Sequence, residues 1–182
     1  MRKAGSTCER QEMNVTTARG ALKSGHVIHD LSLPSVSSID LARLRELFVE
    51  YVAWLDVDLR FQGFDAELAG LPGAYARPDG RLLLAMHDGQ ASGCIALRRF
   101  DAHTGEVKRL WVRPAFRASG LGRMLAQHIV ADAREAGYDR LVLDTLASMD
   151  SALALYRSLG FRDIAPYYHN PLSGAVYLGL DL

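Results

Sequence analysis

The stretch of this chain best suited to chemistry runs from Glu106 to Arg123, where an apolar run ending Leu110-Trp111-Val112 passes into Arg117-Ala118-Ser119-Gly120-Leu121-Gly122-Arg123. A strand entering a glycine-containing loop, followed by a helix, brings together backbone that can approach a ligand closely and the unpaired N–H groups of a helix start. Those amides and the positive end of the helix dipole make an anion site. Pyrophosphate suits it, because converging amides and one Arg side chain satisfy its oxygens without a metal. Two other phosphate motifs fail on inspection. Gly122 is followed by Arg123 and Met124 rather than the Lys and Ser/Thr of a P-loop, and Leu125 stands where the dinucleotide fingerprint needs its third glycine.

Other chemistries find less support. Cys8 and Cys94 are far apart and match no metal or redox spacing. His26 and His29 lie three apart in a stretch that reads as extended, which points them to opposite faces, so no metal site is expected. Lys plus Arg equals Asp plus Glu at 21 each, and this zero net charge gives no bulk attraction for nucleic acid. No apolar span approaches the roughly 20 residues of a membrane helix. The polar residues 1–25 read as a poorly ordered leader without a secretory core, so no membrane partner and a cytoplasmic location are expected. The oligomeric state stays open, a homodimer included.

The elements that must position the loop follow from periodicity. At 182 residues with 49% apolar composition, the chain has the length of one domain with a real core, here residues 26–182. His26 to Leu33 reads as a strand closed by Pro34. Leu41, Leu44, Leu47, Phe48, Tyr51, Val52 and Leu55 repeat at three and four behind Ser37 and Ser38, which predicts an amphipathic helix over 39–57. A shorter helix is expected over 65–71. Arg81 to His87 and Ala91 to Phe100 flank Asp88-Gly89, a hairpin signal. Glu106 to Val112 forms a third strand. Helical spacing then runs from Leu121 to Ala133 and stops at Gly137; a strand over 140–145, a helix over 150–159 and strands over 161–165 and 175–182 complete the order. Such a sequence of elements implies an α/β (α+β) fold with a mixed sheet covered by helices.

On these residues the chain resembles the GNAT superfamily of N-acetyltransferases. Arg117-x-x-Gly120-x-Gly122 meets the family's Arg/Gln-x-x-Gly-x-Gly/Ala signature, and Ala152-x-x-Leu155-Tyr156-x-x-x-Gly160-Phe161 resembles a second family segment. The likeness covers roughly residues 26–182. It implies a mostly antiparallel central sheet, acetyl-CoA as cofactor, amides around Leu110, Trp111 and Val112 on the pantetheine arm, and Arg117 to Gly122, with Arg123, on the pyrophosphate. Met149 departs from the pattern: many relatives carry Asn seven residues before the tyrosine, and Met149 is read here as a packing residue.

The same resemblance implies a reaction. Transfer of acetyl from a thioester to an amine needs a neutral amine, a polarised carbonyl and a proton for the thiolate. Glu106 becomes the candidate base, the N–H of Val112 the oxyanion donor, and Tyr156 the residue that meets the CoA sulfur. Each has a structural alternative: Glu106 as a solvated strand-start residue or as partner of Lys108 or Arg140, Tyr156 as core packing. The first helix and the late loop wall the acceptor cleft in this architecture, which nominates Glu50, Tyr51, Phe61, Gln62, Tyr168 and Asn170. The partners implied are an acyl-CoA and an amine acceptor. A non-catalytic acyl-CoA-binding sensor is the alternative; it has no reason to keep both Glu106 and Tyr156.

Overall fold

The computed structural model describes residues 18–21, 25–57 and 62–182, the first four by their backbone. Helix α1 (Ser38–Leu55) starts where expected. Ser37 holds an extended conformation, and its side chain accepts from the N–H of Asp40, closing one of the otherwise unpaired first-turn donors. The three-and-four repeat places Leu44, Leu47 and Phe48 at full burial, each contributing about 1.5–3 kcal/mol relative to exposure. Asp56 in the left-handed region ends the helix. The short α2 (Phe64–Ala69) follows.

Among the described residues eight strands form one sheet: β1 (Ala18–Ala21), β2 (His26–Asp30), β3 (Arg81–His87), β4 (Gln90–Arg99), β5 (Thr104–Val112), β6 (Arg140–Leu146), β7 (Arg162–Asp163) and β8 (Ala175–Asp181), in the order β1-β2-β3-β4-β5-β6-β8-β7. Four residues of the expected leader thus form an edge strand paired antiparallel with β2; residues 1–17 and 22–24 lie outside the described residues. The β3–β4 hairpin turns on Asp88 and Gly89, both at positive φ (46° and 77°), the backbone that a tight two-residue turn requires. The strand expected over 161–165 pairs only at Arg162–Asp163, plus one bond from Ile164 to Tyr177.

Period-two alternation puts Leu83, Ile95, Leu97 and Val107 on one face, under helices α3 (Leu121–Glu135) and α4 (Asp150–Ser158). Leu82, Leu84, Cys94 and Ala96 face α1 and α2 on the other. With both faces covered, β3 and β4 are buried almost throughout. Among the described residues no helix is long and apolar enough to cross a membrane.

Two features of β5 position the site. It pairs antiparallel with β4 along its length but parallel with β6 only at Thr104–Glu106 against Arg140–Val142, so beyond Glu106 the two strands diverge into a wedge. The β4–β5 register also slips by one residue near Ile95, where Arg109 takes a φ of 59°. This bulge reverses the alternation of side chains. Lys108 and Trp111 end up on the α1 face although three residues apart, while Leu110 and Val112 pack with the α3 and α4 core.

Candidate active site

The end of the wedge nearest the glycine loop is built mainly from backbone. Arg113 donates its N–H to Ser92 O (3.0 Å), so by antiparallel alternation the N–H and C=O of Val112 turn away from β4 toward the open side. Consistent with this, the Val112 carbonyl accepts from Arg117 Nε at 3.1 Å. Pro114–Phe116 form one 3-10 turn, Ala118 and Gly120 follow at positive φ (62° and 85°), and Gly120 starts α3. The first helical bond runs from Met124 N–H to Gly120 O, leaving the amides of Leu121, Gly122 and Arg123 without helical partners. They border a cleft of about 300 Å³ lined by Leu110, Trp111, Val112, Arg117, Ala118, Gly120 and the first helical residues. Ser119 is turned aside, its hydroxyl donating to Phe116 O (2.7 Å), and Arg123 bonds Ser158. The Arg117 guanidinium packs on two indoles, 4.8 Å from the Trp111 ring and 5.0 Å from that of Trp54.

The other end is built from charged side chains. Arg98 Nε donates to Glu106 at 2.6 Å; Lys108 Nζ stands 3.6 Å from Glu106 and 3.0 Å from Asp144. Tyr167 donates to Glu106 (3.1 Å), and Tyr168 (2.7 Å) and Asn170 (3.2 Å) donate to Asp144. Burial would raise the Asp144 carboxyl, but attraction to Lys108 and the bonds from Tyr168 and Lys108 outweigh it and hold it below the usual carboxylate range. Behind this row, Arg109 makes a two-pronged bond to Glu67 (2.9 and 2.6 Å), which secures the bulge. Burial raises Glu67 too, and the Arg109 bonds reverse that to a net lowering.

Tyr156 closes the narrow part of the wedge, sharing it with Tyr51, Gln62, Lys108, Asp144, Met149 and Asn170. It is 5% exposed. None of its neighbours among the described residues takes a hydrogen bond from its hydroxyl, and burial pushes its phenol above the ordinary value. Burial likewise raises Tyr51, to about 12. Beyond Lys108 lies a second cavity of about 310 Å³, bordered by Gln62, Arg98, Phe100, Glu106, Tyr168 and His169. A wedge with free strand backbone and a helix start at one end and an ionised cluster at the other can hold an elongated, phosphate-bearing ligand against a polar one.

Comparison with known proteins decides which family this geometry serves. The Acetyltransferase (GNAT) family model matches residues 41–161. The chain belongs to that family. As a GNAT acyltransferase it has an uncharacterised N-acetyltransferase of Schizosaccharomyces pombe as a relative, 40% identical over 145 residues, covering 79% of this chain and 89% of that protein. Its fold is that of an acetyltransferase from Streptococcus agalactiae (TM-score 0.72, 24% identity, 87% of this chain and 99% of that one). A GNAT family acetyltransferase from Elizabethkingia anophelis, solved with acetyl-CoA bound, superposes with a TM-score of 0.59 at 24% identity over 88% of this chain and 100% of that one.

Within this GNAT chain the nominated residues divide. Tyr51, Gln62, Tyr156 and Asn170 share the narrow wedge, and Gln62, Glu106 and Tyr168 border the cavity beside it. Glu50 does not join them: Arg113 grips its carboxylate (2.7 Å at the shortest), lowering its pKa, and Trp111 Nε1 donates at 3.4 Å. Phe61 lies outside the described residues. Of the structural partners considered for Glu106, Lys108 is present, whereas Arg140 faces Asp181. Met149 caps α4, its sulfur accepts from the Thr145 hydroxyl (3.3 Å), and it borders both clefts. His26 pairs with Ser92 and His29 with Asp40.

Sequence reasoning passed over Asp144, Arg98, Arg109, Glu67 and Trp54. One signal was available: Asp144 interrupts the apolar run Leu141-Val142-Leu143, and Lys108-Arg109 interrupt β5, and a charge inside a strand otherwise buried needs a partner.

Proposed function

We propose that this protein transfers the acetyl group of acetyl-CoA to a primary amine of a small molecule, amino acid derivative or peptide, by direct attack inside the wedge. The observation that carries the reading is the Val112 N–H turned away from β4 to the open side, on the cleft that the bare amides of α3 border. Pantetheine pairs with Leu110 to Val112 as an added strand, and the pyrophosphate sits on Arg117 to Arg123. The thioester carbonyl oxygen then lies at the Val112 N–H, a donor already oriented for the charge that develops there.

The amine nitrogen forms a bond to the carbonyl carbon, and the carbon–sulfur bond breaks with its electron pair leaving on sulfur. The amine gives up one proton, which leaves through water, and the thiolate takes up one from water. An ordinary carboxylate has a pKa about 6 units below an alkylammonium, so no carboxylate strips that ammonium outright. Asp144, which borders the wedge, orients the amine and receives its proton as attack proceeds. Glu106, on the far side of Lys108, carries the proton on through water. Tyr156 holds its own proton tightly, so it donates a hydrogen bond to the departing thiolate more readily than it yields the proton.

The test is direct. Acetyl-CoA without added metal raises the melting temperature, as a ligand that binds only the folded state must, and one or more primary amines release free CoA. If acetyl-CoA leaves the melting curve unmoved, the proposal fails at its first step.

A further inference from the structure

The charged groups at the acceptor end form a row of alternating sign: Arg98, Glu106, Lys108, Asp144, linked at 2.6, 3.6 and 3.0 Å. Its inner members are consumed by one another. Glu106 is 2% exposed and holds a cation on either side. Lys108 is held between two carboxylates at 6% side-chain exposure. The ends are different. Arg98 uses only Nε on Glu106; its two outer amino groups have no protein acceptor among the described residues, the side chain is 35% exposed, and it borders the 310 Å³ cavity. Asp144 carries three donors and is 8% exposed at its side chain, nearly as enclosed as Lys108, but unlike Glu106 it borders the narrow wedge with Tyr156. Gln62 and Lys108 border both spaces, and the Gln62 contact to Tyr168 between them is long, at 3.4 Å.

A row with a cation exposed to the cavity at one end and a carboxylate bordering the narrow wedge at the other matches a ligand with the opposite arrangement. We infer that the acceptor is an amine whose skeleton also carries a carboxylate, bound with the carboxylate on the outer edge of Arg98 and the amine at Asp144. The inference rests on the N-acetyl transfer proposed above and names its substrate class. The planar fork of Arg98 suits a carboxylate, and Phe100, 43% exposed and 5.0 Å from the Tyr167 ring, gives the intervening carbons an apolar wall. Arg98 lies on β4 and Asp144 on β6, two strands apart, and Asp144 lies past the point where β5 and β6 diverge, so their backbone separation exceeds the roughly 10 Å that two regular spacings of about 4.8 Å give. An α-amino acid, with one carbon between its charges, spans too little. An amine and carboxylate several carbons apart, as in an ω-amino acid, a lysine ε-amine or a short peptide, fit the row.

Matched acceptors test this without any variant. Wild-type protein is assayed for CoA release with 6-aminohexanoate against hexylamine and against 6-aminohexanamide, at equal free-amine concentration. The expected kcat/KM for the carboxylate is higher by about tenfold or more, the size of a charge-assisted hydrogen bond, carried mostly by KM. In Arg98→Lys, which keeps a charge beside Glu106 but not the fork, the preference falls to within about threefold while hexylamine turnover changes less. Equal use of the three acceptors by wild type overturns the inference and leaves N-acetyl transfer standing. A preference that survives Arg98→Lys removes Arg98 from it. If acetyl-CoA binds and no amine of either kind releases CoA, N-acetyl transfer is itself wrong, and the substrate class falls with it.

Discussion

At the proposed cofactor end of the wedge the groups assigned to binding are amides of Val112 and of Leu121 to Arg123, held by a strand and a helix start within a dozen residues of each other in sequence. At the acceptor end they are side chains of Arg98, Glu106, Lys108 and Asp144, supplied by three strands and braced by Tyr167, Tyr168 and Asn170 from a loop some sixty residues beyond Glu106. Backbone donors are indifferent to side-chain identity, so the first end is specified by where glycine permits the chain to turn. The second is specified by which ionised group reaches which, and any one substitution leaves a buried partner exposed to an unbalanced charge. The first end therefore suits a ligand common to many proteins, and the second an acceptor particular to this one.

Disturbing the backbone of the first end is expected to have the largest effect. Gly120 sits at φ 85° with nothing within 4 Å of an added Cβ, so Gly120→Val acts through conformation, not crowding: the loop shifts to relieve a strained left-handed residue. Losing two charge-assisted amide contacts lowers acetyl-CoA affinity by about 10² to 10³, read as disappearance of the acetyl-CoA-induced rise in melting temperature. Gly122→Ala sharpens the point. Its Cβ meets Leu155 at 3.7 Å and Val112 at 3.8 Å, ordinary contacts, so the protein folds normally and any weakening of cofactor binding is steric. If Gly120→Val responds to acetyl-CoA as wild type does, the pyrophosphate does not bind there.

Tyr156→Phe, at the boundary of the two ends, comes next. It removes a hydroxyl without changing packing against Phe161, whose ring lies 5.3 Å away. Turnover is expected to fall by about 10² at unchanged acetyl-CoA affinity. Unaltered turnover at saturating cofactor assigns Tyr156 to the core alone.

Glu106→Gln is the smallest change, a charge removed at constant shape behind Lys108. Turnover at neutral pH drops by about tenfold, and the deficit shrinks as pH rises, because solvent base then takes up the proton that attack of the amine releases. The pH–rate profiles and melting curves of both proteins, measured with one acceptor, separate this from bracing. A deficit equal at every pH, together with a lower melting temperature, makes Glu106 only the anchor for Arg98 and Lys108.

How much of this could be read before folding differs in the same way between the two ends. Periodicity located α1, the β3–β4 hairpin, α3 and α4 to within a few residues, because caps, turns and apolar spacing act within one or two turns of chain. The glycine loop proposed to hold the pyrophosphate stands out for the same reason: strand, glycines and helix start are contiguous. The sequence pattern did not disclose that β5 and β6 pair over three residues and then diverge, nor that a bulge at Arg109 puts Lys108 and Trp111 on one face. Those depend on register between segments far apart in the chain. Glu50 shows the consequence. Its helix position beside Tyr51 nominated it for the acceptor cleft, yet successive helical residues point about 100° apart, and Arg113 lay within reach to take its charge. Asp144 shows the converse, an unremarked carboxylate in an apolar strand that gains a partner because β6 faces Lys108 across the wedge at 3.0 Å. Local order follows from short-range sterics and hydrogen bonding, which the order of residues contains. Charge pairing across the wedge needs distances between distant segments, and packing of the whole sheet sets those.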